Sequence, residues 1–180
     1  MPNLLRGRVS VLRPLVESDI DPLVRILSHP DVARWWEGYD QARVRDELLA
    51  EGDGGSFAIV PLPDDGDVTP DTPLAGLIQF YEQEDPDYRH AGVDLFVDPA
   101  NSGRGLGRDA IVTLARYLVE ARGHHRIIID PSVANERAIA VFTAIGFREV
   151  GVMRSYERRA DGTWGDNMLL ELLADELPTA

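Results

Sequence analysis

The segment Ser102-Gly103-Arg104-Gly105-Leu106-Gly107 joins a strand-like run, Gly92-Val93-Asp94-Leu95-Phe96-Val97, to an apolar-periodic helical stretch over residues 106–121. A chain that passes from strand to helix through such a loop must lay the helix back on the sheet, leaving the first helical N–H groups unpartnered at the loop. Glycines allow close backbone approach and the helix dipole adds partial positive charge, so the arrangement suits a phosphate, with Arg104 able to neutralise one oxygen. By itself a G-x-G-x-G run is also an ordinary tight turn, and this one matches neither a Walker loop nor the full dinucleotide fingerprint.

The rest of the chain reads as alternating strands and helices. Residues 8–15 alternate like a strand, and Glu17-Ser18-Asp19 caps a helix over residues 20–27 that His29-Pro30 stops. Asp31 can cap a short helical turn ending at Gly38, and residues 41–51 have helical composition, closed by residues 52–55. Residues 56–62 and 73–81 read as a hairpin around a Pro, Gly and Asp-rich loop unsuited to a core. Residues 82–88 form an acidic loop, residues 124–131 a buried strand, and residues 135–145 a helix closed by Gly146. Residues 147–158 and 164–173 form a last hairpin about Asp161-Gly162, one that could lend strands to a partner. The pattern predicts one α/β domain over residues 1–180 around a mixed sheet.

Composition removes several chemistries. With no cysteine, the chain has no thiol nucleophile, disulfide or Cys-ligated metal, and its four histidines lack metal-ligand spacing, so no metal is expected. A net charge of -13 disfavours nucleic acid and anionic membranes and favours a cationic partner, though acidity also serves solubility alone. The first residues lack a signal peptide's apolar region and no run reaches ~20 apolar residues, so a cytoplasmic protein is expected, monomeric or homodimeric.

A second motif follows the strand that ends in Asp130-Pro131: Asn135, Ala138, Phe142 and Gly146-Phe147. With Ser102-x-x-Gly105-x-Gly107 it resembles the acetyl-CoA-binding core of the GCN5-related N-acetyltransferase superfamily. The resemblance implies a central mixed, mostly antiparallel sheet with splayed parallel strands in the middle, flanked by helices. It implies acetyl-CoA as cosubstrate, held by Phe96, Val97, Gly103, Arg104, Gly105, Leu106, Gly107, Arg108, Asn135, Ala138 and Phe142. Ser102 stands where the family usually has Arg or Gln, leaving the loop amides and Arg104 to hold phosphates. Phe142 stands where a Tyr commonly protonates the leaving thiolate, which passes that role to water or to another group such as Tyr156.

Within the superfamily, Trp35-Trp36-Glu37-Gly38, Gly92-Val93-Asp94 and the run from Asp130 to Asn135 look most like the aminoglycoside 6'-N-acetyltransferases. That resemblance implies transfer of acetyl to an amine of a cationic aminoglycoside. Asp94 interrupts an apolar strand, where an unpaired carboxylate is costly, and is the expected general base. Asp130 ends the next parallel strand, where it serves either as a ligand or as a turn cap. Trp35 and Trp36 serve either as core or as a stacking face for an aminosugar. Glu84 and Asp85 in the acidic loop either recruit ammonium groups or are solvated. His29, His124 and His125 read as helix-end residues, while His90 could reach the mouth of the site. Two rival readings stay open: acetylation of another amine, such as a siderophore lysine side chain, a polyamine or a protein N-terminus, and a CoA-binding module without catalysis.

Overall fold

The computed structural model describes residues 4–49, 54–63 and 67–178. Eight strands form one sheet: β1 (Leu5–Arg6), β2 (Ser10–Pro14), β3 (Gly54–Pro61), β4 (Gly76–Gln83), β5 (His90–Val97), β6 (Arg126–Ile129), β7 (Arg148–Arg158) and β8 (Trp164–Leu173). Their spatial order is β1-β2-β3-β4-β5-β6-β8-β7, and every neighbouring pair is antiparallel except β5 with β6. The helices are α1 (Ile20–Leu27), α2 (Pro30–Ala33), α3 (Gln41–Arg43, continuing as a π turn over Val44–Leu48), α4 (Leu106–Glu120) and α5 (Glu136–Ile145). Among the described residues no helix is long and apolar enough to cross a membrane.

Two cores sandwich the sheet. On one face Ala110, Ile111, Leu114 and Leu118 of α4, with Phe142 and Ile145 of α5, pack on Val93, Ile127, Ile129 and Leu170. On the other, Leu23, Ile26 and Leu27 of α1, with Trp36 and Val44, pack on Ala58, Val60, Leu77 and Phe96. β5 serves both: Val93, Leu95 and Val97 face α4, while Phe96 faces the opposite core, as strand alternation requires.

The first turn of α4 is tied down by one side chain. Asp109 Oδ1 accepts from the Arg8 N–H (3.0 Å), and Oδ2 accepts from the N–H groups of Val9 (3.0 Å) and Ser10 (2.9 Å) and from the Ser10 hydroxyl (2.8 Å). Burial alone would raise this carboxyl, but the four donors outweigh it and hold it below the usual carboxylate range. A Cβ on Gly7 would overlap this carboxylate, which is why the β1–β2 turn carries glycine there.

Several expectations change in detail. β2 is short, and Ser10, Val11, Leu12 and Arg13 are all buried rather than alternating: Leu12 packs in the first core, while Asp109 holds Ser10 and Asp19 holds Arg13. His29, not Asp31, caps α2: its Nδ1 accepts from the Asp31 N–H (3.2 Å), and both tryptophans lie beyond the last helical residue. The predicted end of the third helix at residues 50–53 lies outside the described residues, as do residues 64–66 of the hairpin loop, although Val68 of that loop packs against the second core. Glu82 belongs to β4 rather than to a solvated loop. Its carboxylate accepts from Arg122 Nη2 (2.5 Å) and lies 2.6 Å from Nε2 of the buried His124. That imidazole therefore serves a carboxylate, not helix carbonyls.

Candidate active site

The glycine loop folds as the sequence requires. Gly103 (φ 79°) and Gly105 (φ 77°) adopt the left-handed conformation, and an added Cβ at either would meet nothing within 4 Å, so the loop opens onto free space. Gly105 is the N-cap of α4 and supplies no side chain, which leaves the amides of the first turn directed outward. Gly107 is needed for packing: its Cβ would sit 3.3 Å from Val97 Cγ2. Arg104 does not join this wall, because its guanidinium donates to Asn101 Oδ1 (2.7 Å); the neighbouring Arg108 lines the cavity instead.

The cavity, of about 1400 Å³, begins where the sheet divides. β5 and β6 pair only at Ala91 with Ile127 and Gly92 with Ile128, after which the strands part. Asp94 stands on one arm of the opening and Asp130 on the other, and both line the cavity. Also on its walls are Trp35, Trp36, Phe96, Val97, Gly103, Gly105, Leu106, Gly107, Asn135, Ala138 and Phe142. Asn135 caps α5, its Oδ1 accepting from the Ala138 N–H (3.2 Å). Six arginines, Arg34, Arg43, Arg108, Arg137, Arg158 and Arg159, also line it, with the carboxylates of Asp31, Glu37 and Glu157 among them.

Amide direction separates Phe96 from Val97. The Asp98 N–H donates across to the Ala75 carbonyl (2.7 Å), on the β4 side, whereas the Leu95 N–H turns the other way to Asp94 Oδ1 (2.9 Å). Amides alternate in direction along a strand. Phe96 therefore gives its N–H to the β4 side, leaving Val97 with the N–H that faces the opening.

Asp94 is exposed to the cavity, and loss of hydration to the surrounding protein pushes its carboxyl up to about 7. The Leu95 N–H opposes that rise, while the charges of Asp130 and Glu157 add to it. Asp130 is also raised, by burial first and by Glu157, against the lowering influence of Tyr156. Tyr156 in turn is pushed up to about 12, chiefly by the Asp130 charge beside its hydroxyl.

The tryptophans divide their labour. Trp36 is buried and packs edge-on against Phe96 (5.0 Å between centroids), whereas Trp35 is half-exposed with the Arg34 guanidinium 4.7 Å from its ring centre. One face of Trp35 thus already carries a cation of the chain itself. Glu37, in the turn after α2, clasps the β7–β8 turn, its Oε2 accepting from the Ala160 N–H (2.5 Å).

Glu84 and Asp85 fall outside the lining. They follow β4 at the end of the sheet marked by the pairing of Gln83 with His90, and β5 runs from there toward the glycine loop. His90 is likewise off the cavity, its Nδ1 lying 2.8 Å from the Tyr88 carbonyl oxygen. The sequence reading missed Glu157 and Asn167 as cavity residues and gave Tyr156 only as a proton donor.

A strand, glycine loop and helix beside a parted parallel pair is the architecture of an acyl-CoA-dependent transferase. The family described as acetyltransferase (GNAT) domain matches residues 10–148. The chain is 22% identical to the probable N-acetyltransferase YjcK of Bacillus subtilis, over 94% of this chain and 97% of that protein. It is 32% identical to the N-alpha-acetyltransferase RimI of Mycobacterium tuberculosis over 41% of this chain, a match that spans only 44% of that relative. In structure it resembles Mycobacterium smegmatis RimJ in complex with CoA-disulfide, with a TM-score of 0.75, 24% identity, and coverage of 98% of this chain and 88% of that one. The chain belongs to the GNAT acetyltransferase family.

Proposed function

We propose that the protein transfers acetyl from acetyl-CoA to an amine of a polycationic small molecule, an aminoglycoside at its 6'-amine, in the cytoplasm, and so confers resistance. The observation that carries this reading is the pair of carboxylates, Asp94 and Asp130, on the two arms of the opening, with no basic partner among the described residues. Acetyl-CoA fits the other half: outward amides at the start of α4, glycines with open space before them, and Arg108 and Arg137 on the wall.

Bound acetyl-CoA supplies the acetyl group as an activated thioester. Asp94, ionised above about 7, accepts the proton of the substrate ammonium, directly or through a water, and frees the amine to attack. The Val97 N–H polarises the carbonyl where negative charge develops. As the new C–N bond forms and the C–S bond breaks, the amine nitrogen gives its second proton to water and the departing sulfur takes one from water. Phe142 has none to give, and the Tyr156 hydroxyl is engaged by Asp130. With no cysteine in the chain, transfer is direct, both substrates being bound together.

The test is thiol release from acetyl-CoA with kanamycin, tobramycin, gentamicin, apramycin, spermidine, lysine and an N-terminal peptide. Turnover with the aminoglycosides bearing a 6'-amine is the expected result. Activity confined to the peptide would favour a second reading, acetylation of protein N-termini, which the likeness to RimI supports. Gly105→Ala checks the CoA half. The left-handed conformation costs a non-glycine residue about 1–2 kcal/mol, so KM for acetyl-CoA should rise about tenfold with kcat little changed.

A further inference from the structure

The β7–β8 ladder is broken beside the cavity. Met153 pairs with Asn167 and Glu157 with Gly165, so four steps along β7 answer two along β8. Ser155 sits in this bulge at a φ of 49°, a conformation rare for a residue with a side chain, and its N–H donates to Asp166 Oδ1 (2.8 Å). Such bulges re-aim side chains, and local strain persists only where its surroundings enforce it. Here the bulge carries Tyr156 and Glu157 into the cavity wall, on a strand otherwise turned to solvent.

Asn167 connects this bulge to the arm of β6. Its Nδ2 donates to the Asp130 carbonyl oxygen (2.7 Å) and to Glu157 Oε2 (3.2 Å). Asn167 is only 5% exposed, lines the cavity, and its Oδ1 has no hydrogen-bond partner. A buried acceptor left alone is costly and calls for a donor. Among the described residues, no Arg or His comes within ion-pair distance of Asp94, Asp130 or Glu157. Nor, among those residues, is any group of three His, Cys, Asp or Glu arranged to hold a metal ion. Two carboxylates, Asp130 and Glu157, gathered with an unpaired amide acceptor and no basic partner among the described residues suit an organic cation able to donate hydrogen bonds.

We infer that Glu157 and Asn167, with Asp130 and Tyr156, form a second ammonium subsite beside Asp94, which selects acceptors carrying two ammonium groups over monoamines. This deepens the function proposed above and rests on it: the reacting amine lies at Asp94 while a second ammonium of the same molecule donates to Glu157. Glu157 is then a specificity determinant outside the proton-transfer step.

Two readouts separate the subsite from the transfer reaction. In the first, thiol release is measured for α,ω-diaminoalkanes from propane to octane against n-alkylamines of the same lengths. The parent enzyme should prefer its best diamine by about tenfold in kcat/KM, and Glu157→Gln, which keeps a partner for Asn167, should reduce that preference to within about twofold. Monoamine kcat/KM, read near pH 9 where Asp94 is ionised with or without the Glu157 charge, should fall far less than diamine kcat/KM. Glu149→Gln, exposed on the same strand and outside the cavity, should change neither. Equal use of mono- and diamines by the parent, or equal losses for both in Glu157→Gln, overturns the subsite. In the second, tobramycin is titrated calorimetrically into the CoA-loaded protein, where Glu157→Gln should weaken binding about tenfold. Weakened binding with no turnover of any amine would retain the subsite and reject the transfer reading. Binding that is absent, or unchanged in the variant, rejects the subsite.

Discussion

Asp94→Asn is expected to lower kcat/KM for acetyl transfer by about 10²- to 10⁴-fold, the usual contribution of a positioned base. In the parent enzyme, kcat/KM should rise with pH through an apparent pKa near 7, since the base works only when ionised. In the variant that limb should vanish. The same substitution should stabilise the protein. A carboxyl raised in the fold lends stability that is fully present below its unfolded pKa of about 4 and is lost as pH climbs through about 7. Asn carries no such charge, so the melting temperature of Asp94→Asn should match the parent near pH 3 and exceed it by a growing margin from about pH 4 to pH 8. A variant that retains activity at pH 8 would remove Asp94 from the mechanism, and unchanged melting behaviour would show that its carboxylate is well solvated.

Asp19→Ala should cost about 3–5 kcal/mol of folding stability without touching the cavity. Asp19 and Arg13 form a buried two-pronged ion pair, at 2.7 and 2.8 Å, with side chains only 6% and 4% exposed. Asp19 also accepts from the Val16 N–H (2.9 Å), and Arg13 Nη2 donates to the Thr72 carbonyl (3.0 Å). The pair thus ties β2, the turn into α1 and the approach to β4 beneath the core that seats Trp36. Removing one partner strands the other charge in that interior. The melting temperature should fall by about 10 °C, at roughly 2–4 °C per kcal/mol for a chain of this size. Replacing both partners together, by Met at Arg13 and Leu at Asp19, should restore most of the loss. A single variant as stable as the parent would mean that water reaches the stranded guanidinium.

What the sequence disclosed follows from periodicity and backbone chemistry. Val93, Asp94 and Phe96 were legible because strand alternation assigns their faces, and Gly105 and Asn135 because helix caps have a chemical signature. Amide direction was not legible. It alternates within the plane of the sheet, so choosing Val97 over Phe96 requires knowing which side β4 occupies. Arg104 drew the phosphate role by its place in the loop, but its guanidinium turns to Asn101 and Arg108 lines the cavity instead. Glu84 and Asp85 drew attention by charge, which carries no address. Glu157 escaped notice for the converse reason: on an exposed strand rich in polar residues, nothing marks the one that a bulge will redirect.

The ring of arginines around the cavity has a chemical consequence. All 18 basic residues of the chain are arginine, and none is lysine. A lysine near a thioester is a competing nucleophile whenever it loses its proton, and an acetylated one forfeits its charge. A guanidinium stays protonated at any physiological pH. Arg34, Arg43, Arg108, Arg137, Arg158 and Arg159, which line the cavity, therefore keep their charge where lysines could be acetylated and lose it.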